Sequence, residues 1–139
     1  MNHLKELKRL KNKLWKIIRE FILLRDNYTC QTCGAKPKIL QVGHFVHKSQ
    51  SSAVYYEEEN LSAQCYRCNI WLRGNVAVYA RNIIKRWGIK VFNRLTEAAY
   101  KRLSHQWSIE EIQALIGQYS VKLAALKATP RQKVLQSSK

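Results

Sequence analysis

Apolar side chains recur through the first quarter of the chain at Leu4, Leu7, Leu10, Leu14, Ile17, Phe21 and Leu24. From Leu7 onward they step 3, 4, 3, 4, 3, the seam of a coiled-coil-like packing face. The pattern predicts a helix over residues 3–25, whose other faces carry Lys5, Lys8, Arg9, Lys11, Lys13, Lys16 and Arg19. A second seam with the same steps runs through Ile109, Ile112, Ile116, Tyr119, Leu123 and Leu126. It opens at Ser108-Ile109-Glu110-Glu111, a capping box in which Glu111 is expected to reach back to the cap. Two helices with matching seams are expected to pack on each other, within one chain or across a dimer.

The periodicity changes between the seams. Ile39-Leu40-Gln41-Val42-Gly43-His44-Phe45-Val46 is a β-type stretch between Pro37 and the polar run 48–52. Two further helices are predicted, one from about Asn75 to Arg86 that stops before Gly88, and one over roughly Val91 to Leu103. After Thr129-Pro130 the tail is polar and basic and is expected to be flexible. With 139 residues the chain accommodates one domain with a modest core. The expected organisation is α+β: a single domain over 1–128, made of a basic helix (3–25), a cysteine-bearing core (26–74) and a helical extension (75–128), then a basic tail (129–139).

Charge narrows the partners. Lys and Arg number 25 against 9 Asp and Glu, a formal charge of +16, and a field of that strength favours a polyanion, nucleic acid being the commonest. No apolar run approaches the ~20 residues of a spanning helix, so no membrane role is expected. Met1-Asn2-His3-Leu4-Lys5 lacks the continuous apolar core of a secretion signal. A cytosolic setting follows as the expectation, and there spaced cysteine pairs usually mean a metal.

The four cysteines form two couples, Cys30-Gln-Thr-Cys33 and Cys65-Tyr-Arg-Cys68. Each Cys-x-x-Cys turn brings two thiolates to one tetrahedral edge, and two turns complete a four-thiolate zinc shell. A redox role would need a βαβ setting that the surrounding pattern lacks. Four thiolates leave no open coordination position, so such a zinc is structural. Catalysis would have to come from elsewhere, and carboxylates are scarce: Asp26 is the one aspartate, and Glu57-Glu58-Glu59 the one dense acidic cluster. A two-metal site built on several carboxylates is hard to assemble from that inventory, whereas a one-metal site using His and Asn is available. Strand alternation puts His44 on the face of Leu40, Val42 and Val46, where a satisfied core histidine is the plain alternative to a catalytic one.

Gly43-His44, Asn60 five residues before Cys65, and Cys65-x-x-Cys68-Asn69 together resemble the HNH or ββα-metal nuclease motif in its His-Asn-Asn form. Within that superfamily the chain from about Cys30 to Lys127 resembles the phage NinG (Rap) recombination nucleases. The segments that carry this are Gly43-His44-Phe45, Glu58-Glu59-Asn60-Leu61, Gln64 to Asn69, Arg73-Gly74-Asn75 and Trp107 to Glu111. The resemblance implies a zinc-stabilised ββα-metal module that cuts branched DNA (junctions, forks, D-loops) with Mg²⁺ or Mn²⁺, leaving a 5′ phosphate and a 3′ hydroxyl. It makes His44 the general base, Asn69, at the start of the helix after the zinc knuckle, a ligand to the catalytic metal, and Asn60 the residue that pins the intervening loop. One position departs from the pattern: where many HNH enzymes carry Asp or His before the catalytic histidine as a second metal ligand, this chain has Gly43. Glu58, His47, or water and substrate phosphates are the candidates to fill the gap.

Arg67, Arg73, Arg81, Lys85 and Arg86 are candidates for backbone phosphate contacts or, plainly, a solvated basic surface. A homodimer that makes two coordinated cuts is the expected assembly. The competing class is a zinc-stabilised DNA-binding or annealing module with a decayed active site, which Gly43 keeps open. A protein-interaction scaffold would leave the charge unexplained.

Overall fold

The computed structural model describes residues 2–129, so the expected tail lies, beyond Thr129, outside the described residues. Packing divides the described residues into two compact units: one formed by residues 2–27 and 107–129, the other Tyr28–Gln106.

The first unit is a pair of helices. α1 (His3–Arg25) starts where the Asn2 side chain accepts the Leu4 N–H at 2.9 Å, pairing one of the donors that a helix start leaves open. The last helix of the chain, Ile109–Ala128, begins at Ser108, whose hydroxyl accepts the Glu111 N–H at 3.1 Å. The two helices pack against each other. Leu10, Leu14, Ile18, Phe21 and Ile22 are buried on one, and Ile112, Tyr119 and Leu123 on the other. Phe21 and Tyr119 meet edge to face with centroids 5.7 Å apart. The buried stripe of α1 is turned from the expected seam, since Ile18 and Ile22 are buried where Ile17 and Leu24 are half-buried. An α-helix drifts by about 20° per heptad from a strict 3.5 repeat, and this pair follows the helix rather than the heptad. Both seams are thus engaged within the chain. Asp26 is used structurally here: its buried carboxylate receives the Arg25 guanidinium at 2.8 and 3.0 Å.

The second unit holds the cysteines. β1 (Gln41–His44) pairs antiparallel with β2 (Leu61–Gln64), in the register Gln41↔Gln64, Val42↔Ala63, Gly43↔Ser62 and His44↔Leu61. The long connection between them closes with a 3₁₀ turn, Glu58–Asn60. A single π turn, Arg67–Trp71, follows β2, and then α2 (Val76–Trp87) and α3 (Ile89–Tyr100). Gly88 separates these two helices at φ 96°, a backbone angle that L side chains avoid. Phe45, Val46 and Val54 from the connection pack with Tyr79, Ile83, Leu95 and Ala98 of α2 and α3 into one core. The remaining helix, Ile109–Ala128, is α4. The expected β stretch over 39–46 shortens to four residues, because Phe45 and Val46 leave the ladder to enter this core. Asn69 lies inside the π turn, where the Leu72 N–H reaches back to the Arg67 carbonyl at 2.8 Å, and not at the start of an α-helix as expected. No described helix is long and apolar enough to cross a membrane.

Candidate metal centre and active site

Each Cys-x-x-Cys turn is closed by backbone hydrogen bonds. The Gly34 N–H donates to the Cys30 carbonyl and the Cys30 N–H to the Ala35 carbonyl, both at 2.8 Å. In the second turn the Asn69 N–H donates to the Cys65 carbonyl at 2.9 Å, and the Cys68 N–H lies 3.4 Å from the Cys65 sulfur. A bond from the Gln31 N–H to the Ala63 carbonyl (2.9 Å) fixes the first turn beside β2. The four sulfurs lie within 4.8 Å of one another, and Cys33 and Cys65 Sγ are 3.7 Å apart. A tetrahedron with bonds of ~2.3 Å has edges of about 3.8 Å, so the cluster fits a metal ion such as zinc. Burial works against ionising Cys30, but hydrogen bonds from the Thr32 hydroxyl and from neighbouring backbone N–H groups outweigh it and hold this thiol down at about 6. The Asn75 amide, 3.7 Å from the Cys68 sulfur, adds a further donor to the cluster.

Asn60 is fully buried, and its amide is used at both ends. Oδ1 accepts the Val46 N–H at 2.7 Å, while Nδ2 donates to the carbonyls of Val46 (3.0 Å) and Val54 (3.1 Å). The carbonyl of Asn60 also takes the Phe45 N–H at 2.9 Å. One side chain thereby ties the exit of β1 to the far end of the connection. His44, the last residue of β1, stacks on Tyr55 with centroids 4.3 Å apart and planes inclined by 19°. Burial, assisted by the charge of His47, pushes the His44 imidazole down to about 4. It is therefore neutral at physiological pH, with one ring nitrogen unprotonated.

Gly43 and His44 project to opposite faces of β1. Over Gly43, two side-chain amides close in. A Cβ built there would stand 1.8 Å from Gln64 Oε1 and 2.9 Å from Asn69 Oδ1. The nitrogen of each amide is committed elsewhere: Asn69 Nδ2 donates to Gln41 Oε1 at 2.7 Å, and Gln64 Nε2 to the Gly74 carbonyl at 2.9 Å. That carbonyl belongs to three consecutive residues with left-handed backbone, Arg73, Gly74 and Asn75 (φ 51°, 91° and 50°). For the two non-glycine residues this conformation costs of order 1 kcal/mol or more each. The segment converts that strain into position, since it presents the Gly74 carbonyl to Gln64 and the Asn75 amide to Cys68.

The basic candidates separate. Lys85 and Arg86 line a cleft of about 390 Å³ with Gln31, Thr32, Ser62 and Asn82, and Ser62 shares a strand face with Gln64. Arg67, Arg73 and Arg81 are exposed but do not line it. Glu58 sits half-buried in the 3₁₀ turn. Among the described residues the thiols form the only group of three or more Cys, His, Asp and Glu side chains placed to hold a metal. Glu58 and His47 thus build no acidic or histidine cluster with His44. Sequence reasoning missed Gln64, Tyr55 and Tyr79, whose hydroxyl donates to the Gly43 carbonyl at 2.9 Å. For Gln64 a signal existed, because a glycine inside a strand often marks a close approach by another group.

A two-stranded antiparallel sheet beside a four-thiol cluster defines a small α+β domain whose cysteines are placed to hold a metal ion. The chain belongs to the bacteriophage lambda NinG protein family, whose pattern it matches over residues 1–129. It is 30% identical over 112 residues to the protein ninG of Salmonella phage P22, covering 79% of this chain and 54% of that one. With protein ninG of Escherichia phage lambda it shares 30% over 112 residues, covering 79% and 53%. With that of Escherichia phage 933W the identity is 29%, covering 79% and 54%. The chain thus spans about half the length of the curated relatives it matches. No solved structure matches it.

Proposed function

We propose that this chain is a zinc-stabilised, divalent-metal-dependent DNA endonuclease of the HNH (ββα-metal) type that acts on branched DNA in the cytosol of a bacterial host. The observation that carries the reading is the placement of the Asn69 carboxamide oxygen over Gly43, next in sequence to a histidine kept neutral by burial. His44 would take the proton of the attacking water. Asn60 acts as a positioning residue through the loop it ties to the end of β1. The cysteines hold zinc for structure. Asn69 would hold a Mg²⁺ or Mn²⁺ ion, which when bound would stabilise charge developing on the phosphate and on the leaving oxygen. Lys85 and Arg86, at the cleft that Ser62 of β2 also lines, suit phosphate contacts. Paired cuts in a junction would need two copies, and a homodimer would have to use a surface other than the α1 and α4 seams.

The test is a nicking assay on linear, forked and four-way DNA, with and without Mg²⁺. His44→Ala is expected to lose cleavage by about 100-fold or more while DNA binding stays near wild type. Cutting by His44→Ala at the wild-type rate would remove His44 as the base. The second reading, a non-catalytic DNA-binding module, is favoured by Gly43 alone. It predicts binding to the same substrates and no cutting with any divalent metal.

A further inference from the structure

We infer that Gln64 supplies the second protein ligand to the divalent cation, replacing from β2 the ligand that Gly43 cannot offer from β1. This inference rests on the nuclease reading, and it makes the cation site a neutral one built from two carboxamide oxygens.

Gln64 is fully buried, and its Oε1 has no hydrogen-bond partner among the described residues. A buried amide oxygen left in that state is destabilising, so its orientation needs a cause. The nitrogen provides one: held at 2.9 Å by the Gly74 carbonyl, and 3.4 Å from the Thr32 hydroxyl, it leaves the oxygen pointing over Gly43. The Asn69 amide is oriented in the same way by Gln41. Both oxygens therefore fall within 2.9 Å of a single point, the place of the absent Gly43 Cβ. Hard cations such as Mg²⁺ and Mn²⁺ take oxygen ligands of this kind.

The same numbers explain the glycine. Any side chain at position 43 would collide with Gln64 Oε1, so an acidic residue there and Gln64 exclude each other. Gly43 and Gln64 form a linked pair, in which the strand gives up its own ligand to admit one from its neighbour. The exchange has a chemical consequence. A carboxylate would bring negative charge to the cation and hold it in the free protein, whereas two neutral amides hold it weakly. The charge must come from the substrate phosphate, so cation and DNA are captured together.

The test uses the zinc-loaded full chain with His44→Ala to keep forked DNA intact, and follows cation binding in two ways. By electron paramagnetic resonance, DNA is expected to tighten Mn²⁺ binding, and Gln64→Ala and the volume-preserving Gln64→Met are each expected to weaken that binding by about tenfold or more. Gly43→Asp alone should not improve Mn²⁺ binding, because Gln64 fills its place. The pair Gly43→Asp with Gln64→Ala should restore binding and make it less dependent on DNA. By NMR of the same chain with Gln64 intact, diamagnetic Mg²⁺ added with DNA should shift the side-chain carbonyl carbon resonances of Gln64 and Asn69 together, a readout that holds even if truncation unfolds the module. Unchanged Mn²⁺ affinity in both Gln64 variants, or a shift confined to the Asn69 carbonyl, overturns the assignment of Gln64 alone. If Asn69→Ala also leaves Mn²⁺ binding unchanged and neither carbonyl shifts, the cation reading itself fails.

Discussion

The helix pair and the cysteine unit are built from different kinds of contact. In α1 and α4 the buried positions are Leu, Ile, Phe and Tyr, and many apolar combinations of similar volume would fill the same space. In residues 28–106 the buried set includes Asn60, Gln64, Ser51 and Ser62, polar groups that are stable inside only where particular partners meet them. Burial of the first kind is tolerant and gradual. Burial of the second kind holds a specific geometry, and small changes of chemistry at constant size should break it. A site that must place single atoms has reason to sit in the second unit.

The largest effect should come from removing the metal. Structural zinc in small modules contributes roughly 10–16 kcal/mol of apparent folding free energy, so a strong chelator, or Cys68→Ser, is expected to unfold residues 28–106. Hydrogen exchange followed residue by residue should show protection lost across that span and largely kept in α1 and α4. Simultaneous loss in both would show that the two units share one stability.

Next come matched pairs of substitutions, read by denaturant unfolding. Asn60→Ala leaves the Val46 N–H and the Val46 and Val54 carbonyls without their partner, and should cost about 4 kcal/mol. Asn60→Asp, nearly the same size, should cost almost as much, because the donor to both carbonyls is gone. Leu14→Ala should cost about 3 kcal/mol, but Leu14→Met less than about 1.5 kcal/mol, with zinc content unchanged. If Asn60→Asp proves as mild as Leu14→Met, the contrast between the units is not real.

The smallest effect concerns pH. Folding lowers the His44 pKa from 6.5 to about 4, so the unfolded chain binds the proton more readily. The contribution is fully present above pH 6.5 and is lost as pH falls from there toward 4. His44→Phe, which keeps a ring against Tyr55, should flatten the acid side of the stability profile relative to wild type. Equal slopes for the two proteins would show that His44 is not buried as neutral imidazole.

These contrasts also decide what could be read from the chain. Both long helices were legible because a repeating seam is a local pattern, and the Ser108 cap marked its own boundary. The cysteine couples were legible because their spacing encodes a turn. β2 was not, since the alternation of Leu61-Ser-Ala-Gln64 runs for only four residues without a β-branched or aromatic side chain, and the segment becomes a strand only by pairing with Gln41–His44. A glycine inside a strand signals a close approach, but that Gln64 is the approaching group follows only from its place diagonally across the ladder from Gly43, a relation absent from linear order. The π turn looks in sequence like the start of a helix, because one additional residue per turn leaves no signature in four or five positions. The resemblance makes Asn60 a loop anchor, and its partners Val46 and Val54 are set only by the fold.

Cys33 and Cys65 are 32 positions apart, and Gly43, His44, Asn60 and Gln64 all lie between them. A metal joining the two cysteine turns closes that stretch into a ring, which reduces the freedom of the unfolded chain by an amount worth about 4 kcal/mol for a loop of this length. Opening the ring would release His44 and Gln64 to wander independently while leaving every side chain chemically intact.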